Sequence, residues 1–107
     1  MKITILTLFP EFFDSFQATS IIKRALDRQL VEFETVDFRQ YTLDKHNHVD
    51  DTPCGGGQGM LLSCQPIVDC IKAVKTEGSL VVMMSPQGKT FTQKVAHEFA
   101  NVNHLIL

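Results

Sequence analysis

The residues best suited to chemistry lie in Val49-Asp50-Asp51-Thr52-Pro53-Cys54-Gly55-Gly56-Gly57-Gln58-Gly59-Met60. Four of the chain's six glycines, Gly55, Gly56, Gly57 and Gly59, fall in this stretch. Glycine loses more backbone freedom on folding than any other residue. Such a run therefore belongs where φ must be positive or where a ligand must approach bare main chain. The rival reading is an ordinary tight loop. A flexible linker would continue into Ser, Pro or charge, whereas Met60-Leu61-Leu62 follows here and predicts a loop anchored to a core. Just upstream crowd His46, His48, Asp50, Asp51 and Cys54. Their spacing fits no tight zinc pattern. They read as turn formers and solvated charge, with Asp50 or Asp51 placed to bond a ligand or to order the loop's own backbone. No basic residue adjoins Cys54 to activate its thiol, so it reads as a small apolar filler, and Cys64 and Cys70 read as core.

A second candidate is Ser85-Pro86-Gln87-Gly88, which interrupts an apolar run. Its plain reading is a strand-to-helix turn. Gly88-Lys89-Thr90 has the form of a P-loop tail, but Met83 stands where that pattern needs glycine, and Pro86 removes an amide that would cradle phosphate. The dinucleotide fingerprint G-x-G-x-x-G is also missing after the first strand, where Phe9-Pro10-Glu11 stands instead.

These loops need elements to hold them. Residues 2–8 read as a buried strand, apolar at Ile3, Ile5, Leu6 and Leu8 and stopped by Phe9-Pro10. Residues 11–16 form a short helical turn carrying Phe12, Phe13 and Phe16. Ser20 is placed to cap a helix over 21–29, with Ile21, Ile22, Ala25 and Leu26 inward. Residues 31–38 form a strand with Glu32 and Glu34 exposed, which suits an edge strand or one covered on a single face. Residues 39–63 show no period of either kind, and so long a loop in a compact domain is generally functional. Pro66 suits the first turn of a helix with Ile67, Val68, Ile71 and Val74 on one face, ending at Glu77-Gly78. Residues 79–85 read as a continuous apolar strand, Thr92 caps a helix to about residue 100, and residues 104–107 begin another buried strand. The alternation implies an α/β layer structure on a mainly parallel sheet flanked by helices, with ligands beyond the carboxyl ends of the strands.

Length and composition set bounds. A chain of 107 residues makes one domain, residues 1–107. It is 44% apolar and 21% charged, and its net charge of −2 supplies no global basic field for nucleic acid. Three cysteines, an odd count, together with no secretory leader, suit a reduced, cytoplasmic setting. No apolar run approaches the roughly 18 residues of a membrane span.

Together Leu8-Phe9-Pro10-Glu11-Phe12-Phe13, the stretch 49–60, Gln65-Pro66 and Ser85-Pro86-Gln87-Gly88 resemble the amino-terminal half of the bacterial tRNA (guanine-N1)-methyltransferases, the TrmD family of trefoil-knotted SPOUT methyltransferases. The resemblance spans essentially the whole chain. One departure is Gln58, where the family usually has proline. The resemblance implies transfer of a methyl group from S-adenosylmethionine to N1 of the guanosine 3′ of a tRNA anticodon, by a homodimer whose active site is shared between subunits. It implies that Met83, Met84, Ser85, Pro86 and Gln87 line the cofactor's adenosine. It further implies that Asp50, Gly55, Gly56, Gly57, Gly59 and Met60 lie beside the methyl donor and target guanine. No residue here matches a catalytic acid or base, and no metal ligand is implied.

Family members run to about twice this length, so the resemblance also implies that the knot and the remaining cofactor loops are encoded after Leu107. The final strand would then lack its usual cover and be exposed. The competing class is a non-enzymatic α/β ligand-binding or regulatory module, complete at this length. Ending on Leu105-Ile106-Leu107 favours the fragment, and a reading frame continuing past Leu107 would decide between them.

Overall fold

The computed structural model describes residues 1–107. Its centre is a four-stranded, all-parallel sheet of β1 (Lys2–Thr7), β2 (Glu32–Asp37), β5 (Leu80–Val81) and β6 (His104–Ile106), in the order β2-β1-β6-β5. Between β2 and β5 the chain adds an antiparallel pair, β3 (Asp50–Asp51) and β4 (Leu61–Leu62). The helices are α1 (Asp14–Gln17), α2 (Ser20–Asp27), α3 (Cys64–Val74) and α4 (Gln93–Phe99), with 3-10 turns at Pro10–Phe13 and Phe38–Tyr41. The α/β layer structure on a parallel sheet is therefore present, and β2 is an edge strand, one of the two readings that Glu32 and Glu34 allowed.

Side chains alternate across a strand, and the alternation assigns the helices to faces. Phe33 stacks with Phe13 and Phe16 around α1, at centroid separations of 6.0 and 5.8 Å. Leu6 and Val36 point the other way, into a cluster of Phe38, Val49 and Cys70 closed by Ile67 and Val74 of α3. Helices thus cover both faces, and the second face carries the hairpin as well.

Several local expectations need correction. Residues 104–107 do not form an exposed strand: β6 lies between β1 and β5, with His104, Leu105 and Ile106 all buried. Two parallel neighbours satisfy its backbone, so no edge is left open. The strand over 79–85 is only Leu80–Val81. β5 is the outer strand and β6 is short, so the ladder closes with the Val82 N–H on the Ile106 carbonyl at 2.8 Å. Met83 and Met84, expected inside that strand, are 86% and 74% exposed. Ser20 does not cap α2. It is the helix's first residue, at φ 52°, and Thr19 takes the cap position with its hydroxyl turned back to the Ser15 carbonyl. Ile21 consequently points to solvent, while Ile22, Ala25 and Leu26 pack inward. In α3 the helix stops at Val74 rather than at Glu77, and Val68 is exposed. Thr92 does cap α4, accepting from the Val95 N–H at 3.4 Å.

The interior is thin. Only eight residues of 107 are buried, and the Cα radius of gyration is 15.8 Å, against about 13 Å for a compact domain of this size. The chain exposes 8222 Å², where a compact monomer of its mass exposes about 6,000 Å².

Candidate functional site

All four main strands run in one direction, so their carboxyl ends share one edge of the sheet. The turn after β1 leaves there, as do the 3-10 turn after β2 and the segment after β5. The hairpin is rooted on the same edge. Val49, 1% exposed, packs with Phe38 and Cys70 beside Leu6, Leu8 and Val36, and its carbonyl accepts from the Ser63 N–H at 2.7 Å. Both candidate segments therefore spring from one edge of the sheet.

The glycine run is the connection between β3 and β4. Gly55, Gly56, Gly57 and Gly59 have φ of 84°, 83°, 122° and 95°, all in the region that side-chain-bearing residues avoid. A Cβ built on any of the four meets nothing within 4 Å. Within this chain glycine is demanded by backbone angle, and the space above the loop is open. One internal bond orders its start, from the Gly56 N–H to the Pro53 carbonyl at 3.1 Å. The side chains of Met60, Leu61 and Leu62 are exposed, so they do not anchor the loop to a core. The anchor is the hairpin ladder and Val49 below it. Asp50 is half-buried in β3, paired with Leu62.

Residues 85–88 form a tight turn. The Gly88 N–H donates to the Ser85 carbonyl at 3.0 Å, and the Gln87 N–H to Ser85 Oγ at 3.2 Å. Ser, Pro and Gly at the first, second and fourth positions are the residues a type I turn selects. At Gly88 the requirement is room, since a Cβ would meet the Ser85 carbonyl oxygen at 3.1 Å. The whole stretch 83–87 faces solvent.

Clefts of about 620, 310 and 690 Å³ lie elsewhere, none of them lined by Asp50, by residues 55–60 or by residues 83–87, and residues 55–60 and 83–87 are all exposed. The structure thus brings the candidate residues to one edge without enclosing them.

The cysteines divide differently from expectation. Cys54 is exposed on the loop and is no core filler, and Cys64, at the start of α3, is exposed too. Cys70 is fully buried. Burial, and then the charge of Asp37, push its thiol up to about 11, so it stays protonated and inert at neutral pH.

Two organising residues escaped the sequence reading. Asp44 Oδ2 accepts the His46 N–H at 2.7 Å and the His48 N–H at 3.1 Å, and lies 3.0 Å from His48 Nδ1. The backbone bonds from His48 and then His46 hold its carboxyl below the usual aspartate range. Backbone ordering, expected of Asp50 or Asp51, falls mainly to Asp44, although Asp51 Oδ1 does accept the Thr52 N–H at 2.7 Å. Gln65 clamps the start of the loop to α3. Its amide donates to the Tyr41 carbonyl at 2.7 Å and to Asp69 at 2.6 Å, and its oxygen accepts the Leu43 N–H at 3.2 Å. The available signals were the Asp-x-His-x-His spacing, typical of side-chain-to-backbone turns, and the i,i+4 pair of Gln65 with Asp69.

Asp44→Ala is expected to loosen residues 44–48 while leaving global stability nearly unchanged, because the group is exposed. The sign follows from the lowered carboxyl. The turn is fully held above the ordinary aspartate range and is lost as pH falls through the lowered value. Amide exchange at His46 and His48 reads this, and unchanged exchange in the variant would contradict it.

A parallel α/β layer with two loops at the carboxyl edge, one of bare glycine backbone and one a tight proline turn, places this chain in the class of α/β folds whose ligands, where they bind one, sit at that edge. The chain belongs to the family described as tRNA (guanine-1)-methyltransferase TrmD, whose family model matches residues 1–107. It is similar to the tRNA (guanine-N(1)-)-methyltransferase of Malacoplasma penetrans, 55% identical over 107 residues that make up 100% of this chain and 47% of that protein. The protein of the same name from Clostridium botulinum is 52% identical, over 99% of this chain and 44% of the relative. That of Staphylococcus carnosus is 47% identical, over 99% and 44%. The chain spans about half the length of the curated relatives it matches, corresponding to their amino-terminal part. No helix is long and apolar enough to cross a membrane.

Proposed function

We propose that the protein transfers a methyl group from S-adenosylmethionine to N1 of the guanosine 3′ of a tRNA anticodon, in the cytoplasm, as a homodimer, and that residues 1–107 supply part of each binding site. The observation that carries this reading is the family match along the entire chain. Met83, Met84, Ser85, Pro86 and Gln87 hold the adenosine. Asp50, Gly55, Gly56, Gly57, Gly59 and Met60 receive the methyl donor and the guanine. Two features of the geometry suit these roles. A planar base that leaves its stack needs close approach to a flat partner, and the open space above the four glycines allows it. Adenosine needs an apolar surface with a few backbone polar groups, and the exposed methionines beside the turn at 85–88 offer one. The surface in excess of that of a compact monomer favours burial against further protein, as a shared site requires.

The test is incubation of the complete protein with methyl-labelled S-adenosylmethionine and tRNA with or without guanosine at that position. Label is expected as 1-methylguanosine in the first tRNA only. Label elsewhere, or none, would overturn the assignment.

A companion test addresses the turn. Pro86 presets φ at the second turn position, fixing how the chain leaves β5. Pro86→Ala is expected to weaken cofactor binding several-fold at a stability cost within about 1 kcal/mol. Calorimetry giving wild-type affinity would remove Pro86 from the site.

A further inference from the structure

At the amino-terminal edge of the sheet, opposite the candidate loops, a polar chain crosses the core. Thr4 and His104 lie on one face of neighbouring strands, and both are buried. Thr4 Oγ1 is 2.9 Å from His104 Nε2 and donates to Glu34 Oε2 at 3.3 Å. Lys2 Nζ pairs with Glu34 at 2.8 Å, and that bond foremost holds the Glu34 carboxyl below the usual range, so it only accepts at neutral pH. On the other side of the ring, His104 Nδ1 is 2.9 Å from Thr76 Oγ1 and 3.0 Å from Ser79 Oγ. Ser79 Oγ donates to the Thr76 carbonyl at 2.7 Å and accepts the Thr76 N–H at 2.9 Å.

The proton count constrains this chain at its Thr4 end. A hydroxyl has a single proton to donate. Thr4 gives its proton to Glu34, so Thr4 must accept from the N–H at His104 Nε2. Ser79 gives its proton to the Thr76 carbonyl, and the Thr76 hydroxyl lies 2.9 Å from both His104 Nδ1 and Ser79 Oγ, so all three groups are tied together. Each member is satisfied, and no buried side-chain polar atom lacks a partner.

The consequence lies in β5. Its ladder has two rungs, Leu80 with Leu105 and Val81 with Ile106. A one-residue slip turns every side chain of a strand to the opposite face, and two rungs supply few contacts of their own to oppose it. Thr76 and Ser79 immediately precede β5, and His104 opens β6.

We propose that His104 is a positioning residue: by tying Thr76 and Ser79 to the start of β6 it sets the register of β5, and thereby how far beyond the sheet the turn at 85–88 is delivered. The link to cofactor binding rests on the reading of that turn given above.

Three variants of the complete protein separate positioning from bulk stability. His104→Asn keeps an acceptor oxygen near the Nδ1 position and loses the Thr4 side. His104→Gln keeps a donor near the Nε2 position and loses the Thr76 and Ser79 side. Thr76→Val removes only the hydroxyl that pairs with Nδ1 and with Ser79 Oγ, at an exposed site where folding survives. Amide exchange at residues 80–82 is read alongside KM and kcat for S-adenosylmethionine. His104→Gln and Thr76→Val are expected to speed exchange about ten-fold and to raise KM about five-fold with kcat little changed, while His104→Asn stays within about two-fold of wild type on both. Equal exchange in His104→Asn and Thr76→Val would overturn the proposal. A split in exchange without a split in KM would uphold the register role of His104 and instead remove the turn at 85–88 from the cofactor site.

Discussion

Residues 1–107 prepared alone are expected to transfer no methyl group to tRNA and to bind S-adenosylmethionine too weakly to measure by calorimetry in the micromolar range. A small-molecule site buries most of its ligand's surface. Here Met83 and Met84 stand largely in solvent, and the rest of the stretch 83–87 is exposed as well. An adenosine held from one side forgoes most of its burial, at about 25 cal/mol for each Å² of apolar area left wet. The glycine loop gives the same expectation for the base, since open space above it supplies no second wall. The matched relatives are about twice as long, and the rest of their length is the natural source of the missing walls. Clear micromolar binding or turnover by residues 1–107 would show that the cofactor pocket is assembled within this half, and would sink the half-site reading.

Gly57→Val in the complete protein is expected to reduce methyl transfer at least ten-fold, equivalent to about 1.4 kcal/mol of barrier. Of the four loop glycines Gly57 has the most extreme φ, at 122°. A β-branched residue there is forced out of that region, and such backbone strain costs about 1–3 kcal/mol. The loop relaxes to another path rather than bear it. Contact within this chain is not the cause, because a Cβ at this position touches nothing. Folding should survive, since the loop lies outside the Phe38, Val49 and Cys70 cluster. Unchanged turnover with an unchanged unfolding midpoint would leave the loop a purely structural part. Gly57→Ala is the graded control, expected to lose less because alanine meets the φ penalty without the branch.

The alternation of apolar strands with amphipathic segments, legible in residues 2–8, 31–38, 67–74 and 92–100, determined the α/β class, because side-chain period and burial are local properties of the chain. The glycine run announced positive φ for the same reason: a backbone angle is set within a residue or two. Ser-Pro-Gln-Gly likewise wrote its own turn. The family, too, was legible from four short motifs.

Only the tertiary structure decided how these pieces meet. Nothing local in His104-Leu105-Ile106 states that the last strand lies between the first and the fifth. That placement comes from pairing across a hundred residues of chain. The same long-range pairing shortens β5 to two residues and leaves Met83 and Met84 outside. It turns an aperiodic stretch into a hairpin, because Asp50–Asp51 and Leu61–Leu62 are too short to show a period and become strands only by finding each other. Exposure was the least legible property of all. Cys54, Cys64, Ile21 and Met60-Leu61-Leu62 have the composition of a core, yet burial depends on what lies opposite, and in this chain nothing does.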